Sequence, residues 1–416
     1  MSNGNNIRKE EFTEDAEVKR IISNLKRNIT IGNKTYSNII DNEGNQYVDL
    51  VMEGGGVLGI ALVGYTYLLE KVGIRFLSVG GTSAGAINAL FVAAMDTPQN
   101  IKSEKMLDVL ANLNMFKFVD GKDDIKEFIK AYVKGAGKLK MAFTISKLWN
   151  DIDDIYKNIG LNPGKYFYDW LTESINKEGI ETTKDLYDRM HSLPEEIKKV
   201  DGRPVDPKLA VVSADITTET KVEFPRMARL YFPDRDAVNP AKYVRASMSI
   251  PLFFYPYEVK RIPKGPGAKA NWKKDAGYEE AIPSKCLFVD GGVMSNFPID
   301  LFHAPKGLPR CPTFGAKLGH DQRLKKKIDN PLSFAGAVFD SARHTLDYDF
   351  ITRNPDYNNL VTWIDTGKHN WLNFFMSKRD KIDLFKLGVK AAADFLKKFD
   401  WDDYQDIRKD IAAKHR

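Results

Sequence analysis

Short apolar runs recur along the chain at Tyr47–Met52, Ile74–Val79, Leu209–Ala214, Leu287–Val289, Thr313–Leu318 and Leu360–Ile364. Each has the length of a strand buried on both faces. The stretches between the first of them carry apolar residues at helical spacing, over Leu58–Val72 and Ala84–Met95. Strand, helix, strand, helix in that order predicts an α/β fold, a three-layer α/β/α sandwich around a mainly parallel sheet. Near the other end Leu384, Leu387, Ala391, Phe395 and Leu396 line one helical face, so Lys378–Phe399 is expected to pack on that domain.

Two segments break the alternation. Residues 1–46 read as a helical or irregular arm, most helical over Glu14–Arg27, and Ile101–Leu161 has no strand-like run and reads as a helical insertion. The insertion directly follows the second helix, a common place for a lid. Without repeats or linkers, the expected organisation is the arm, one domain over 47–400 and a tail over 401–416.

Composition adds limits. With 43% hydrophobic and 28% charged residues in 416, the chain is an ordinary globular one. Cys286 and Cys311 are too few for a disulfide framework and lack the spaced partners of a metal site. Met1–Asp15 has no apolar leader, and Val57–Leu69, interrupted by Gly59 and Gly64, is too short to span a bilayer. These features lead us to expect a cytoplasmic protein, free or peripheral at the inner membrane surface. The net charge of +6 favours anionic partners, but 56 acidic residues are interspersed and no nucleic-acid motif is present, so no nucleic-acid partner is expected. Lys138, Lys140 and Lys147 alternate with Leu139, Met141, Phe143, Ile145, Leu148 and Trp149, either an interfacial basic segment or a cap of the core.

Three motifs carry chemistry. Gly81-Thr82-Ser83-Ala84-Gly85 follows a strand and opens a helix, the context of a nucleophile elbow. Such a pentapeptide arises by chance in about one chain in ten of this length, so it needs company. Glu53-Gly54-Gly55-Gly56-Val57-Leu58-Gly59 also joins a strand to a helix, and its bare amides at a helix N-terminus suit an oxyanion. Its G-x-G-x-x-G spelling also fits a dinucleotide site, but the second strand ends Ser78-Val79-Gly80-Gly81 without the ribose-binding acid. Asp290-Gly291-Gly292 ends the run Leu287–Val289, read as a parallel strand, and puts a carboxylate at the sheet edge where such folds build their sites.

These motifs, with Ala246-Ser247-Met248-Ser249-Ile250-Pro251, occur in the order and spacing of the patatin-like phospholipase family. The resemblance extends from about Tyr47 to Phe399, since Trp363-Ile364-Asp365-Thr366-Gly367 and the last helix are also similar. It implies Ser83 as nucleophile, Asp290 as its base, and the amides of Gly54, Gly55 and Gly56 as oxyanion hole, with Gly81, Gly85, Gly291 and Gly292 shaping the turns. Ala84 could add a further amide. One departure is Leu58, where the family often has Arg or Lys.

The implied activity is hydrolysis of glycerophospholipid esters through an acyl-enzyme, with a transient membrane contact and no metal or organic cofactor. A lipase, an esterase, an acyltransferase or a signal-activated, membrane-degrading antiviral effector would share the motifs. Two other classes compete. A Ser-Asp-His triad would need one of His303, His320, His344, His369 or His415, and an inactive interaction or storage protein would need none of these residues.

Overall fold

A computed structural model of the protein describes residues 7–32, 34–133, 151–302, 307–319, 354–367 and 369–414, with scattered positions between 136 and 147 and residues 337 and 341. Its centre is an eight-stranded sheet. The strands are β1 (Gln46–Met52), β2 (Ile74–Thr82), β3 (Leu209–Asp215), β4 (Thr220–Phe224), β5 (Tyr257–Lys260), β6 (Lys285–Asp290), β7 (Thr313–Leu318) and β8 (Val361–Ile364). The order is β8-β7-β1-β2-β3-β6-β5, with β4 also on β3. From β8 to β3 all pairs are parallel, while β4, β5 and β6 join antiparallel.

The expected α/β architecture is therefore present, with one correction. Asp290 ends an antiparallel strand, because β6 pairs with β3 in the opposite sense. It still reaches the site for a topological reason. Leu209–Val212 of β3 pairs with β2, Ser213–Asp215 pairs with β6, and β4 runs along the opposite edge over Val211–Asp215. Strands β2 and β6 thus share one edge of β3 head to head, and their carboxyl ends meet.

Helices surround this sheet: α1 (Ala16–Gly32), α2 (Gly59–Lys71), α3 (Ala84–Ala94), α4 (Lys165–Asn176), α5 (Ala241–Ser247), α6 (Lys378–Lys398) and α7 (Trp401–Lys414). The arm is tied into the main core through Phe12 and Val18, and Phe12 meets Phe385 of α6 edge-on at 5.4 Å. The segment read as a tail is instead the helix α7. Its Trp401 and Tyr404 are buried, and Arg408 pairs with buried Asp356 at 2.9 Å. Tyr47 and Leu77, turned away from Val48 and Phe76 by strand alternation, form a second cluster with Ile39, Leu193, Ile197 and Cys311. No helix among the described residues is long and apolar enough to cross a membrane.

The main brace of the site is the crossing of α2 and α6. A Cβ on Gly64 would fall 2.0 Å from the Phe385 carbonyl oxygen, and one on Gly388 would fall 1.9 Å from that of Ala61. The helices therefore meet backbone to backbone. We expect Gly388→Ala to destabilise the fold by about 1–3 kcal/mol or more, since neither backbone can yield. Thermal unfolding followed by circular dichroism reads this directly, and an unchanged midpoint would refute the close crossing.

Candidate active site

Ser83 sits between β2 and α3 at φ 53° and ψ −120°, a sparsely populated backbone region for a non-glycine residue. Such strain costs on the order of 1–3 kcal/mol and persists only where the surroundings impose it. Close approach imposes it here. A Cβ on Gly85 would lie 2.1 Å from the Met52 carbonyl oxygen, and one on Gly81 would lie 2.6 Å from the Gly85 carbonyl carbon, so both flanks must be glycine.

Ser247 holds this turn. Its hydroxyl accepts the Ser83 N–H at 2.9 Å and donates to the Val212 carbonyl at 2.6 Å, a bridge between nucleophile and sheet. Ser249 supports the opposite side, its carbonyl accepting the Asp290 N–H at 2.8 Å. Arg245 donates to the Ser249 hydroxyl at 2.6 Å. Burial pulls the Arg245 pKa down to about 10, which leaves the guanidinium charged at neutral pH. Both serines thus serve as loop supports.

The structure brings Asp290 to the same end of the sheet. Its Oδ1 accepts the Gly292 N–H at 2.8 Å, and a Cβ on Gly291 would lie 2.2 Å from the Val212 oxygen and 3.0 Å from Thr82 Cγ2. Asp290 and Ser83 are both nearly fully buried. The Ser83 hydroxyl donates to Met248 Sδ at 3.2 Å, a partner that the sequence did not reveal.

The glycine loop lies across from them, between β1 and α2. A Cβ on Gly54 would be 3.1 Å from Ser83 Cβ. Its three amides differ in use. The Gly54 N–H donates to the Asn296 carbonyl at 3.1 Å, whereas those of Gly55 and Gly56 meet no acceptor among the described residues. Gly56 has φ 54° and abuts the Trp371 carbonyl, which accepts the Val57 N–H at 3.0 Å. The loop and α3 present two helix N-termini, whose dipoles both favour negative charge between them.

An apolar cavity of about 40 Å³ opens beside Ala84 and Gly56, lined among others by Ile60, Ile87, Met115, Trp170, Met248 and Phe374. Sites for drug-sized ligands run to roughly 300–1,000 Å³, so a fatty acyl chain needs some of these side chains to withdraw. Phe374 of this lining stacks on Phe253 at 5.0 Å, and its neighbour Phe375 stacks on Phe116 at 4.3 Å.

Two described histidines are engaged elsewhere. His191 stacks on Tyr187 at 3.8 Å with Nε2 3.1 Å from Asp206, and His369 Nδ1 lies 3.8 Å from Asp380. His303, His320, His344 and His415 lie outside the described residues. So do Lys138, Leu139, Met141, Ile145, Leu148 and Trp149 of the basic segment. Of its other members, Lys147 pairs with Glu127 at 2.7 Å and lies 5.0 Å over the ring of Phe143, which is exposed.

The sequence profile described as patatin-like phospholipase matches residues 50–303. An uncharacterized protein of Bacillus subtilis strain 168, YqhO, is 29% identical over 358 residues, which span 85% of this chain and 99% of that one. Among solved structures, VipD from Legionella pneumophila is similar with a TM-score of 0.43 and 17% identity, over 90% of this chain and 72% of that one. ExoU, in the heterodimeric ExoU–SpcU complex from the type III secretion system of Pseudomonas aeruginosa, has a TM-score of 0.34 and 14% identity. It covers 85% of this chain and 52% of that one.

Proposed function

This chain belongs to the patatin-like phospholipase family, and on that premise we propose that it is a serine hydrolase cleaving carboxylic esters of membrane glycerophospholipids. Ser83 is the nucleophile and Asp290 its side-chain base. The observation that carries this reading is the strained Ser83 turn, at the sheet end where β6 delivers Asp290 and beside a glycine loop with two amides that meet no acceptor among the described residues.

The reaction runs in two steps. Asp290 takes the Ser83 proton as Oγ attacks the acyl carbonyl, and the negative charge moves onto the carbonyl oxygen facing Gly55 and Gly56. Collapse expels the lysolipid alcohol, which recovers the proton from Asp290. Water activated by the same carboxylate then releases the fatty acid and restores the serine. For this the hydroxyl turns from Met248 Sδ to the carboxylate, and the acyl chain takes the apolar cavity beside Ala84 as its side chains part. A transient lipid surface is the proposed partner, with the cytoplasmic face of the membrane its place of action.

Met248→Leu keeps the bulk and removes the sulfur. It should raise turnover of a soluble short-chain ester by roughly two- to tenfold, the worth of one weak hydrogen bond. Slower turnover would mean that the sulfur helps to present the hydroxyl. The function itself is tested by incubating the protein with a mixed lipid extract and identifying the products by mass spectrometry. Free fatty acid and lysophospholipid are expected from the wild type and neither from Ser83→Ala. No release from any lipid would overturn the assignment.

A further inference from the structure

Behind the glycine loop lies a buried polar cluster that the proposed chemistry does not use. Glu53, Asn296 and Lys317 are each nearly inaccessible. Glu53 Oε2 accepts the Leu318 N–H at 2.6 Å, while Oε1 accepts from Asn296 Nδ2 at 3.0 Å and pairs with Lys317 Nζ at 3.2 Å. The ammonium also lies 4.6 Å from the Phe297 ring centre and 4.8 Å from that of Trp363. A buried ion pair gains little stability over apolar residues of the same size, because desolvation offsets most of the attraction. Its reach is more informative than its strength.

The cluster ends on Gly54. Asn296 Nδ2 donates to the Gly54 carbonyl at 3.2 Å, and the Asn296 backbone carbonyl accepts the Gly54 N–H at 3.1 Å, so one residue grips both polar groups of the first glycine. A Cβ on Gly54 would lie 2.5 Å from Asn296 Oδ1 and 3.1 Å from Ser83 Cβ, so that peptide is packed closely between the two residues. The next two residues are those whose amides meet no acceptor among the described residues.

We propose that Asn296, held in orientation by the Glu53–Lys317 pair, is a positioning residue that aims the Gly55 and Gly56 amides at the developing oxyanion. This inference rests on the serine-hydrolase reading above. A displacement of about 1 Å in an orienting group can cost on the order of a hundredfold in rate, even when the group changed never touches substrate. Asn296 contributes to the rate through Gly54 and leaves binding of the ester to the cavity.

The test leaves the ion pair intact, since removing one partner would strand a buried charge. Asn296→Ala and Asn296→Asp are compared with the wild type on a soluble ester and in the rate of fluorophosphonate labelling of Ser83. Thermal midpoints are recorded for each. For Asn296→Ala we expect kcat and labelling to fall together by roughly 10–100-fold, with KM within about twofold. The carboxylate of Asn296→Asp faces Glu53 and the Gly54 carbonyl, so that variant should be equally slow at neutral pH. It should regain activity relative to the wild type in acid, where the protonated carboxyl can donate again. If Asn296→Ala does not fold, the isosteric Asn296→Asp carries the same comparison. Variants that lose only thermal stability, with kcat and labelling within about threefold of the wild type, would overturn the positioning role. A wild type that neither labels nor hydrolyses would overturn the hydrolase reading, and this inference with it.

Discussion

Asp290→Asn is expected to cost about 10⁴-fold in ester hydrolysis, because it keeps the shape of the side chain and removes the only base proposed for Ser83. A carboxylate is a weak base toward a serine hydroxyl, so it works only where direct contact and exclusion of water compensate for its low basicity. Asp290 is buried, its Oδ1 accepts the Gly292 N–H, and its own N–H is bound by Ser249. An Asn at this position can accept the same Gly292 bond through its carbonyl oxygen, so the fold should survive. The checks are circular dichroism for folding and initial rates on a soluble ester. A folded Asp290→Asn protein within tenfold of the wild type would remove Asp290 from the mechanism.

Gly55→Val is expected to lower turnover by roughly 10²–10³-fold, the usual cost of losing one oxyanion donor. This glycine gives a cleaner test than Gly56 because its φ of −169° lies outside the left-handed region. The new Cβ would lie 2.4 Å from Leu318 Cδ1, the movable end of a side chain, so the loop shifts without collapse. At Gly56 a substitution would also meet a φ of 54° and the Trp371 carbonyl, and strain would confuse the result. Combining Gly55→Val with Leu318→Ala should recover part of the rate, since the displacing contact is gone. Near-normal kcat in the single variant would take Gly55 out of the oxyanion hole.

How far the sequence reads into the structure depends on the range of each interaction. Ser83 was legible because its turn is specified within five residues, and the parallel core was legible because strands buried on both faces form continuous apolar runs. Thr220–Phe224 and Tyr257–Lys260 escaped because charged Lys and Glu residues interrupt their short apolar patterns. The sense of β6 was misread because orientation depends on the path between β3 and β6, which periodicity does not record. Trp401, Tyr404 and Arg408 do fall at helical spacing, a signal for α7 that charged neighbours obscured.

Met248 lies within the Ala246–Pro251 motif, which gives no sign of its contact with the serine, and Asn296 has no local signal of its own. They reach Ser83 and Gly54 across 165 and 242 residues of chain, so only the assembled sheet brings them together. The Gly54 amide is a subtler case. Sequence treats three successive glycines alike, while the structure commits the first to Asn296 and leaves the next two without acceptors among the described residues.

Ser83 and Asp290 are proposed to act without a histidine. The most direct measurement is a single panel: hydrolysis of one soluble ester by the wild type, Ser83→Ala, Asp290→Asn and the six single His→Gln variants, each confirmed folded. Ser83→Ala and Asp290→Asn are expected to fall by about 10⁴-fold or more while all six histidine variants stay within about threefold of the wild type. One folded His→Gln variant as inactive as Ser83→Ala would establish a triad and contradict the dyad.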